Sequence, residues 1–248
     1  MTRERGDADA GPALDGGPQA DVGVVIVAGG SGSRAAGSSG ELKQFRWVGD
    51  KPMLLHAVHA FQRRRDVALV VCVLPRSHAA DPPPWLFQCD LDRLMVTTGG
   101  RDRGESVWNG LEDLPDEAAV AVIHDAARPL VTDATIDAVI TEARRGHGAV
   151  AALPVVDTLK EVDATGRITR TVDRAGLWRA QTPQAFPLRV IEHAYVEARR
   201  DGVTATDDAA LVERLGLEVV VVRGSERAMK VTEEADFARV ERLASLVD

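Results

Sequence analysis

The chain has 248 residues, 45 % of them hydrophobic and 27 % charged, which is an ordinary globular composition for a protein able to bury its own core. A formal net charge of −8 argues against a nucleic-acid-binding protein, which would need basic side chains against the phosphates. Cys72 and Cys89 lack metal-ligand spacing and a secretory context, and no apolar stretch is long enough to span a bilayer. We therefore expect free thiols, a cytoplasmic location, and neither nucleic acid nor membrane as a partner.

The segment 1–21 is rich in Gly, Pro, Asp and Ala and has no apolar region of the kind found in a signal peptide. It would bury too little to offset the entropy lost on ordering. The expected organisation is a disordered tail over 1–21, followed by a single domain over 22–248.

Strands and helices are predicted to alternate through the first part of this domain. The apolar run VGVVIVA, which begins at Val22, is typical of a buried strand, and Pro52 opens an amphipathic helix. The stretch 79–84, with three consecutive prolines, is expected to be a loop. Further strands are predicted for VALVVCVL, RLMVTTGG, AAVAVIHD and GAVAALPV, and helices for ESVWNGLEDL and TDATIDAVITEARR. This alternation predicts an α/β fold with an open, mostly parallel sheet.

The pattern changes after Pro154, where polar and apolar residues alternate on both sides of a glycine-containing turn. This indicates a β-hairpin arm inserted in the domain at about 154–180. Helices over 187–200 and 207–215, the strand LEVVVV and a last helix capped by Thr232 are expected to complete the fold.

Ligands of open parallel sheets bind beyond the carboxyl ends of the strands. Three segments follow predicted strand ends and are therefore candidates for the site, namely 29–43, 99–106 and 124–129.

The first of these segments begins with AGGSGSR, at 28–34. Glycines let backbone N–H groups approach phosphate oxygens, and Arg34 adds a cation. The motif lacks both the Gly-Lys-Ser/Thr ending of a P-loop and the glycine order of a dinucleotide fingerprint, which also argues against a dehydrogenase. Lys43 could neutralise triphosphate charge. Taken alone, the glycine motif could equally be an ordinary turn. A lone loop lysine is usually solvated.

Further candidates lie later in the chain. Asp125, in HDAARP, could hold a metal ion or a ribose hydroxyl, or could simply close an Asx turn, while His124 is expected to be structural. In TDDAALVE, Thr206 predicts a helix N-cap, and whether Asp207 also faces a ligand stays open. MKVT places Lys230 just before the last helix.

Together the motifs resemble those of the 2-C-methyl-D-erythritol 4-phosphate cytidylyltransferases of the non-mevalonate isoprenoid pathway. They are, in order, AGGSGSR, KQF, GG-R-D-R-x-E-S-V, HDAARP, DTLK, VDR-x-GLW-x-x-QTPQ, and TDDAALVE with KVT, and they cover nearly all of the chain from Val22 to Leu246. The resemblance implies a Rossmann-like nucleotidyltransferase fold and transfer of CMP from CTP to a sugar-alcohol phosphate. It also implies Mg²⁺ as cofactor and a homodimer in which each hairpin arm reaches the partner's site.

The resemblance implies roles for individual residues. The CTP-binding residues would be Ala28, Gly29, Gly30, Gly32, Arg34, Lys43, Gly100, Ser106 and Asp125. The substrate-binding residues would be Thr158, Arg174, Thr182, Asp207 and Lys230, with Thr158 and Arg174 acting across the dimer interface. The catalytic residues would be Arg34, Lys43, Asp125 and Lys230. Mg²⁺ would be held mainly by the CTP phosphates, with Asp125 or Asp207 as a candidate ligand. The chain departs from the family in a longer loop over 34–43 and in having Leu42 where a proline is expected.

The chemistry suits this set of side chains. A phosphate-monoester nucleophile is already ionised at neutral pH, so no general base is required. The protein must instead supply positioning and positive charge. Two alternatives stay open: a cytidylyltransferase acting on ribitol 5-phosphate or another sugar phosphate, and a non-catalytic nucleotide-binding module.

Overall fold

The computed structural model describes residues 20–30 and 42–246. The predictions for most of the N-terminal segment, and those for Gly32 and Arg34, lie outside these ranges. The described strands are β1 (Val22–Val27), β2 (Trp47–Val48), β3 (Lys51–Pro52), β4 (Val67–Leu74), β5 (Leu94–Thr98), β6 (Val120–Asp125), β7 (Gly148–Pro154), β8 (Leu159–Val162), β9 (Ile168–Val172), β10 (Trp178–Pro187) and β11 (Val219–Arg223). The described α-helices are α1 (Met53–Gln62), α2 (Arg76–Ala80), α3 (Arg103–Glu112), α4 (Asp133–Arg144), α5 (Leu188–Arg200), α6 (Asp208–Arg214) and α7 (Glu234–Ala244).

A seven-stranded sheet in the order β11-β7-β10-β6-β1-β4-β5 forms the centre of the described structure. Its pairs are parallel except those of β10, which runs antiparallel to both β6 and β7. The predicted α/β class with a mostly parallel sheet is confirmed. No helix within the described ranges combines the length and the apolar character needed to cross a bilayer.

The apolar strands are buried because helices cover both faces of the sheet. Successive side chains of a strand point to opposite faces, so Val24 and Ile26 of β1 pack with α1 and α4, while Val25 packs with α3, α5 and α6. Gly110 of α3 lies against this second face, where an added Cβ would come within 2.4 Å of Val25 Cγ1. The missing side chain lets α3 approach the sheet closely.

The predicted hairpin arm is present. Strands β8 and β9 pair only with each other among the described strands, and almost every residue of the arm is exposed. The chain turns near Gly166, whose φ of +82° lies in the left-handed region that favours glycine.

Strand β10 was missed, and its polar side chains explain why. The segment WRAQTPQAFP shows neither an apolar run nor a clean alternation, yet Gln181, Thr182 and Gln184 are buried inside the sheet. Gln181 exchanges hydrogen bonds with the backbone of Ser225, and Gln184 donates to Asp207. Because their partners are distant in sequence, the propensity of the segment alone does not indicate a strand.

Two helix caps were predicted one residue too early. Asp207, not Thr206, is the N-cap of α6, and its carboxylate accepts from the backbone N–H of Ala210. Glu233, not Thr232, is the N-cap of α7.

The predicted loop at 79–84 is shorter than expected. Helix α2 extends to Ala80, and Pro84 begins a 3₁₀ turn over Pro84–Gln88. Proline is tolerated in the first turn of a helix, so the run of prolines ends one helix and starts the next turn.

Candidate active site

A cavity of about 610 Å³ opens at the carboxyl ends of β1, β5 and β6, beside the end of β4. Backbone hydrogen bonds tie these strand ends together: Ala28 N–H donates to Val73 O at 2.9 Å, and Gly99 N–H donates to Leu74 O at 2.7 Å. The cavity therefore lies where an open parallel sheet is expected to bind its ligand.

At one side of the site, two glycines let their backbones pack closely against each other. A Cβ on Gly29 would lie 3.3 Å from the Cα of Gly99, and one on Gly99 would lie 3.2 Å from the Cα of Gly29. Ser106 of α3 closes this corner, because its hydroxyl accepts from Gly100 N–H at 3.0 Å and donates to Asp102 O at 2.7 Å. Gly29, Gly100 and Ser106 all line the cavity.

The 3₁₀ turn Lys43–Phe45 places two further side chains at the cavity. Lys43 Nζ donates to Val231 O at 3.0 Å, beside Lys230. Gln44 Nε2 donates to Ala28 O at 2.7 Å and Gly30 O at 3.2 Å, and so ties the turn to the backbone after β1. Gln44 was not singled out from the sequence, although the KQF motif that follows the glycine loop contains it.

Asp125 ends β6 between two cations. Its Oδ2 accepts from Lys230 Nζ at 2.6 Å and its Oδ1 from Arg103 Nε at 3.3 Å. Burial opposes ionisation of this carboxyl, but the positive charges of Arg103 and Lys230 outweigh it and hold the pKa of Asp125 well below its usual range. Asp125 is therefore a carboxylate at neutral pH.

Arg103, the first residue of α3, is the main feature of the site that the sequence does not indicate. It lines the cavity and pairs with Asp125 and with Asp208. Its motif was recognised, but its partners are 22 and 105 residues away along the chain, and no local pattern indicates such contacts.

The segment that carries Lys230 is fixed by α7. Asp236 Oδ2 accepts from the backbone N–H of Thr232 at 2.8 Å and from that of Glu233 at 3.0 Å. Lys43, Asp125 and Lys230, although far apart in sequence, thus line one cavity.

Four of the residues expected to bind substrate do not line the cavity in this chain. The Thr182 hydroxyl is buried behind Asp125, where it accepts from the Asp125 backbone N–H at 3.0 Å. Asp207 bonds instead to Gln184 and caps α6. Thr158 and Arg174 lie exposed at the base of the arm.

The donor set can be compared with what Mg²⁺ requires. The described residues include no group of three or more His, Cys, Asp or Glu side chains suited to a metal ion. Mg²⁺ is commonly held by one or two carboxylates together with substrate phosphates. Asp125 supplies one carboxylate at the cavity, which fits an ion bound mainly by a nucleotide.

The open parallel sheet, the glycine backbone after β1 and the cations around the cavity define an α/β domain of the nucleotidyltransferase class. The family model "IspD: 2-C-methyl-D-erythritol 4-phosphate cytidylyltransferase" matches residues 22–245, and the chain belongs to this family.

Individual relatives agree with this assignment. The 2-C-methyl-D-erythritol 4-phosphate cytidylyltransferase of Syntrophus aciditrophicus is 40 % identical over 221 residues, which cover 88 % of this chain and 93 % of that protein. The protein of the same name from Streptomyces coelicolor is 42 % identical over 228 residues, covering 88 % and 83 %. The crystal structure of the Thermus thermophilus protein superposes with a TM-score of 0.77 at 34 % identity, covering 91 % of this chain and 100 % of that one.

Proposed function

We infer that this chain transfers CMP from CTP to 2-C-methyl-D-erythritol 4-phosphate and releases pyrophosphate, a step of isoprenoid precursor synthesis. The observation that carries this inference is the convergence of Lys43, Asp125 and Lys230 at one cavity, in a chain of the cytidylyltransferase family. The names of its relatives state the same activity.

The reaction needs charge and alignment more than acid–base catalysis. An oxygen of the substrate phosphate attacks the α-phosphorus of CTP, and the bond from that phosphorus to the bridging oxygen breaks, so that pyrophosphate leaves with the electron pair. The nucleophile is already an anion at neutral pH. Accordingly, the cavity-lining residues in the described ranges include no histidine or cysteine, and none is needed.

The cations of the cavity would let two anions meet. The ammonium group of Lys43 binds the Val231 carbonyl, and that of Lys230 binds Asp125 Oδ2. Arg103 contacts the other oxygen of Asp125. Positive charge that is fixed before the reaction stabilises the transition state without further reorganisation. Arg34 would add to this charge.

We propose Mg²⁺ as the cofactor, bound mainly by the triphosphate. Of the two candidate ligands, Asp125 lines the cavity and could share the ion, whereas Asp207 does not line it and is occupied as the cap of α6. The ion would neutralise phosphate charge.

We also propose that the enzyme works as a homodimer through its arm. The arm and its base expose apolar side chains to solvent, notably those of Val156, Val162 and Ile168. Exposed apolar side chains that lie close together are typical of a protein–protein interface. Thr158 and Arg174 do not line the cavity of their own chain, so their expected roles require the cavity of a second copy.

A mixed dimer tests this arrangement. A Lys43→Ala subunit and an Arg174→Ala subunit, each with little activity as a homodimer, would be co-expressed with different tags and isolated together. One of the two sites then combines an intact cavity with an intact arm from the partner, so about half of the wild-type activity should return. A mixed dimer no more active than its parents would show that the arm does not act across the interface.

We place the enzyme in the cytoplasm. Cys72 and Cys89 are free thiols, as is usual in a reducing compartment. Cell fractionation with an antibody against the chain would test this location.

One assay tests the reaction itself: pyrophosphate release from CTP with a panel of sugar-alcohol phosphates, with and without Mg²⁺. Release only with 2-C-methyl-D-erythritol 4-phosphate and Mg²⁺ is expected. Release only with ribitol 5-phosphate would change the acceptor but keep the class, and nucleotide binding without any release would favour the non-catalytic module. Equal release from ATP or UTP would contradict selection of cytosine.

A further inference from the structure

A buried carboxylate behind the cavity has no part in the chemistry described so far. Asp208, in the first turn of α6, is 0 % exposed and does not line the cavity. Its Oδ1 and Oδ2 accept from Nη1 and Nη2 of Arg103 at 3.0 and 2.8 Å. Oδ1 also accepts from the hydroxyl of Tyr195 at 2.6 Å. A buried charge is costly unless it is fully paired, and Asp208 is paired in this way by two other elements.

The contacts of Arg103 differ on its two sides. The edge of the guanidinium that carries both Nη atoms faces Asp208, whereas Asp125 receives only Nε, at 3.3 Å. A guanidinium and a carboxylate bind most strongly edge to edge through two parallel hydrogen bonds. Asp208 occupies that edge, so Arg103 contacts Asp125 through one long bond.

The alternative pairing is available and would interfere with the site. Asp125 is the other carboxylate that Arg103 contacts, and Lys230 already binds it at 2.6 Å. Each oxygen of Asp125 already contacts one cation, but the contact with Arg103 is a single long bond. If the edge of Arg103 that carries both Nη atoms turned to Asp125, a short bidentate pair would replace that long bond. Asp125 could then accept little from a metal ion or a sugar hydroxyl.

We propose that Asp208 is a positioning residue, which holds the Nη edge of Arg103 and so keeps Asp125 available to the reactants. Tyr195 supports this role, because its hydroxyl fixes the oxygen of Asp208 that also receives Nη1. The inference rests on the proposed function, since it concerns how Asp125 meets the reactants.

Asp208→Asn is the direct test. An amide keeps one acceptor oxygen but places an NH₂ donor against the donors of Arg103, so the paired edge cannot form. We expect kcat/KM to fall by about 10- to 100-fold, the usual effect of a small displacement of a catalytic group. A crystal structure of this variant should show Nη atoms of Arg103 within hydrogen-bond distance of Asp125. An unmoved Arg103 would overturn the proposal.

Asp66→Asn is a matched control. Asp66 also forms a bidentate pair with an arginine, since Arg64 Nε and Nη2 lie 3.0 and 3.1 Å from its oxygens. It precedes β4 and therefore lies at the end of the sheet away from the cavity. Both variants should unfold at lower temperature, but only Asp208→Asn should lose activity at temperatures where it is folded. Equal losses of activity would indicate a merely structural role for Asp208.

A double-mutant cycle separates an effect exerted through Arg103 from a general one. In an Arg103→Met background the additional change Asp208→Asn should alter kcat/KM by less than about 2-fold. Should the two losses multiply, the proposal is wrong. If Asp208→Asn does not fold, Tyr195→Phe takes its place in the same cycle. A wild-type enzyme without pyrophosphate release would contradict the proposed function instead.

Discussion

The cavity and the hairpin arm both carry residues expected to act in the reaction, but they hold them differently. At the cavity, Asp125 is buried and bonded to side chains from three separate parts of the chain. On the arm, Arg170 pairs with Glu161 within the hairpin, and both side chains are more than half exposed. The cavity is thus organised by contacts between distant parts of the folded chain, whereas the pairing of β8, β9 and their side chains lies within the hairpin itself.

This contrast has a general consequence for substitutions. At the cavity, stability and turnover depend on the same contacts and should change together. On the arm, turnover should change while the free energy of unfolding stays nearly constant.

Lys43→Ala should have the largest effect. Removal of one fixed charge from a site that stabilises a transition state typically lowers kcat by about 10²- to 10³-fold. Steady-state kinetics of pyrophosphate release would measure it. Lys51→Ala is the control, because Lys51 does not line the cavity, and it should keep wild-type kcat. A Lys43→Ala enzyme with unchanged kcat would remove Lys43 from the catalytic set.

The buried His124 behind Asp125 should make stability depend on pH. Burial lowers the pKa of His124 to about 4, whereas an unfolded chain has the ordinary value. Between these values the unfolded state binds more protons, so stability falls as pH drops from about 6.5 to about 4.

His124→Gln removes this titration and can still donate to Arg128 O, which His124 Nε2 contacts at 3.0 Å. The wild type should therefore lose about 3 kcal/mol more than the variant over that pH range. Denaturant unfolding at several pH values would measure the difference. Parallel curves for the two proteins would show that His124 does not titrate in this way.

Arg174→Ala should separate activity from stability on the arm. The guanidinium of Arg174 donates to Val156 O and is exposed, so the unfolding midpoint should hardly change. Because Arg174 is proposed to bind the substrate phosphate, its loss should lower kcat/KM for the sugar phosphate by about 10- to 100-fold. Arg170→Ala on the same arm is the control and should leave both quantities nearly unchanged. A large drop in the unfolding midpoint of Arg174→Ala would show that this side chain also stabilises the fold.

Gly110→Ala should have the smallest effect and should act on the cavity side through packing. The added methyl group would overlap Val25 and Val73, which outweighs the better helix propensity of alanine and costs about 1–2 kcal/mol. Because α3 also carries Arg103 and Ser106, kcat/KM should fall modestly as well. Gly104→Ala in the same helix meets no atom closer than 3.4 Å and should not destabilise the protein. Thermal unfolding would compare the two.

The sequence predicted the parts of the fold that depend on local patterns. Strands β1, β4, β6 and β7 were predicted because strands buried on both faces are continuous apolar runs. The arm was predicted from its alternation of polar and apolar residues. Strand β10 left none, since Gln181 and Gln184 are satisfied by partners more than 20 residues away.

The site was predictable to a similar extent. The ordered motifs single out Lys43, Asp125 and Lys230, and all three line the cavity. The roles of Arg103 and Asp208 depend on a pairing between α3 and α6, which only the three-dimensional structure provides. The roles of Arg34 and Gly32 stay predictions.

The placement of β10 also bears on the order in which the polypeptide can be assembled during synthesis. Among the described strands, β7 is joined to β6 only through β10, although β7 leaves the ribosome first. Strands β1, β4, β5 and β6 can pair as soon as they emerge. The edge of β7 that pairs with β11 stays open longest, and the edge that pairs with β10 must wait until the whole arm has been translated. Shortening the arm would therefore shorten the time for which a nascent chain exposes that edge to aggregation.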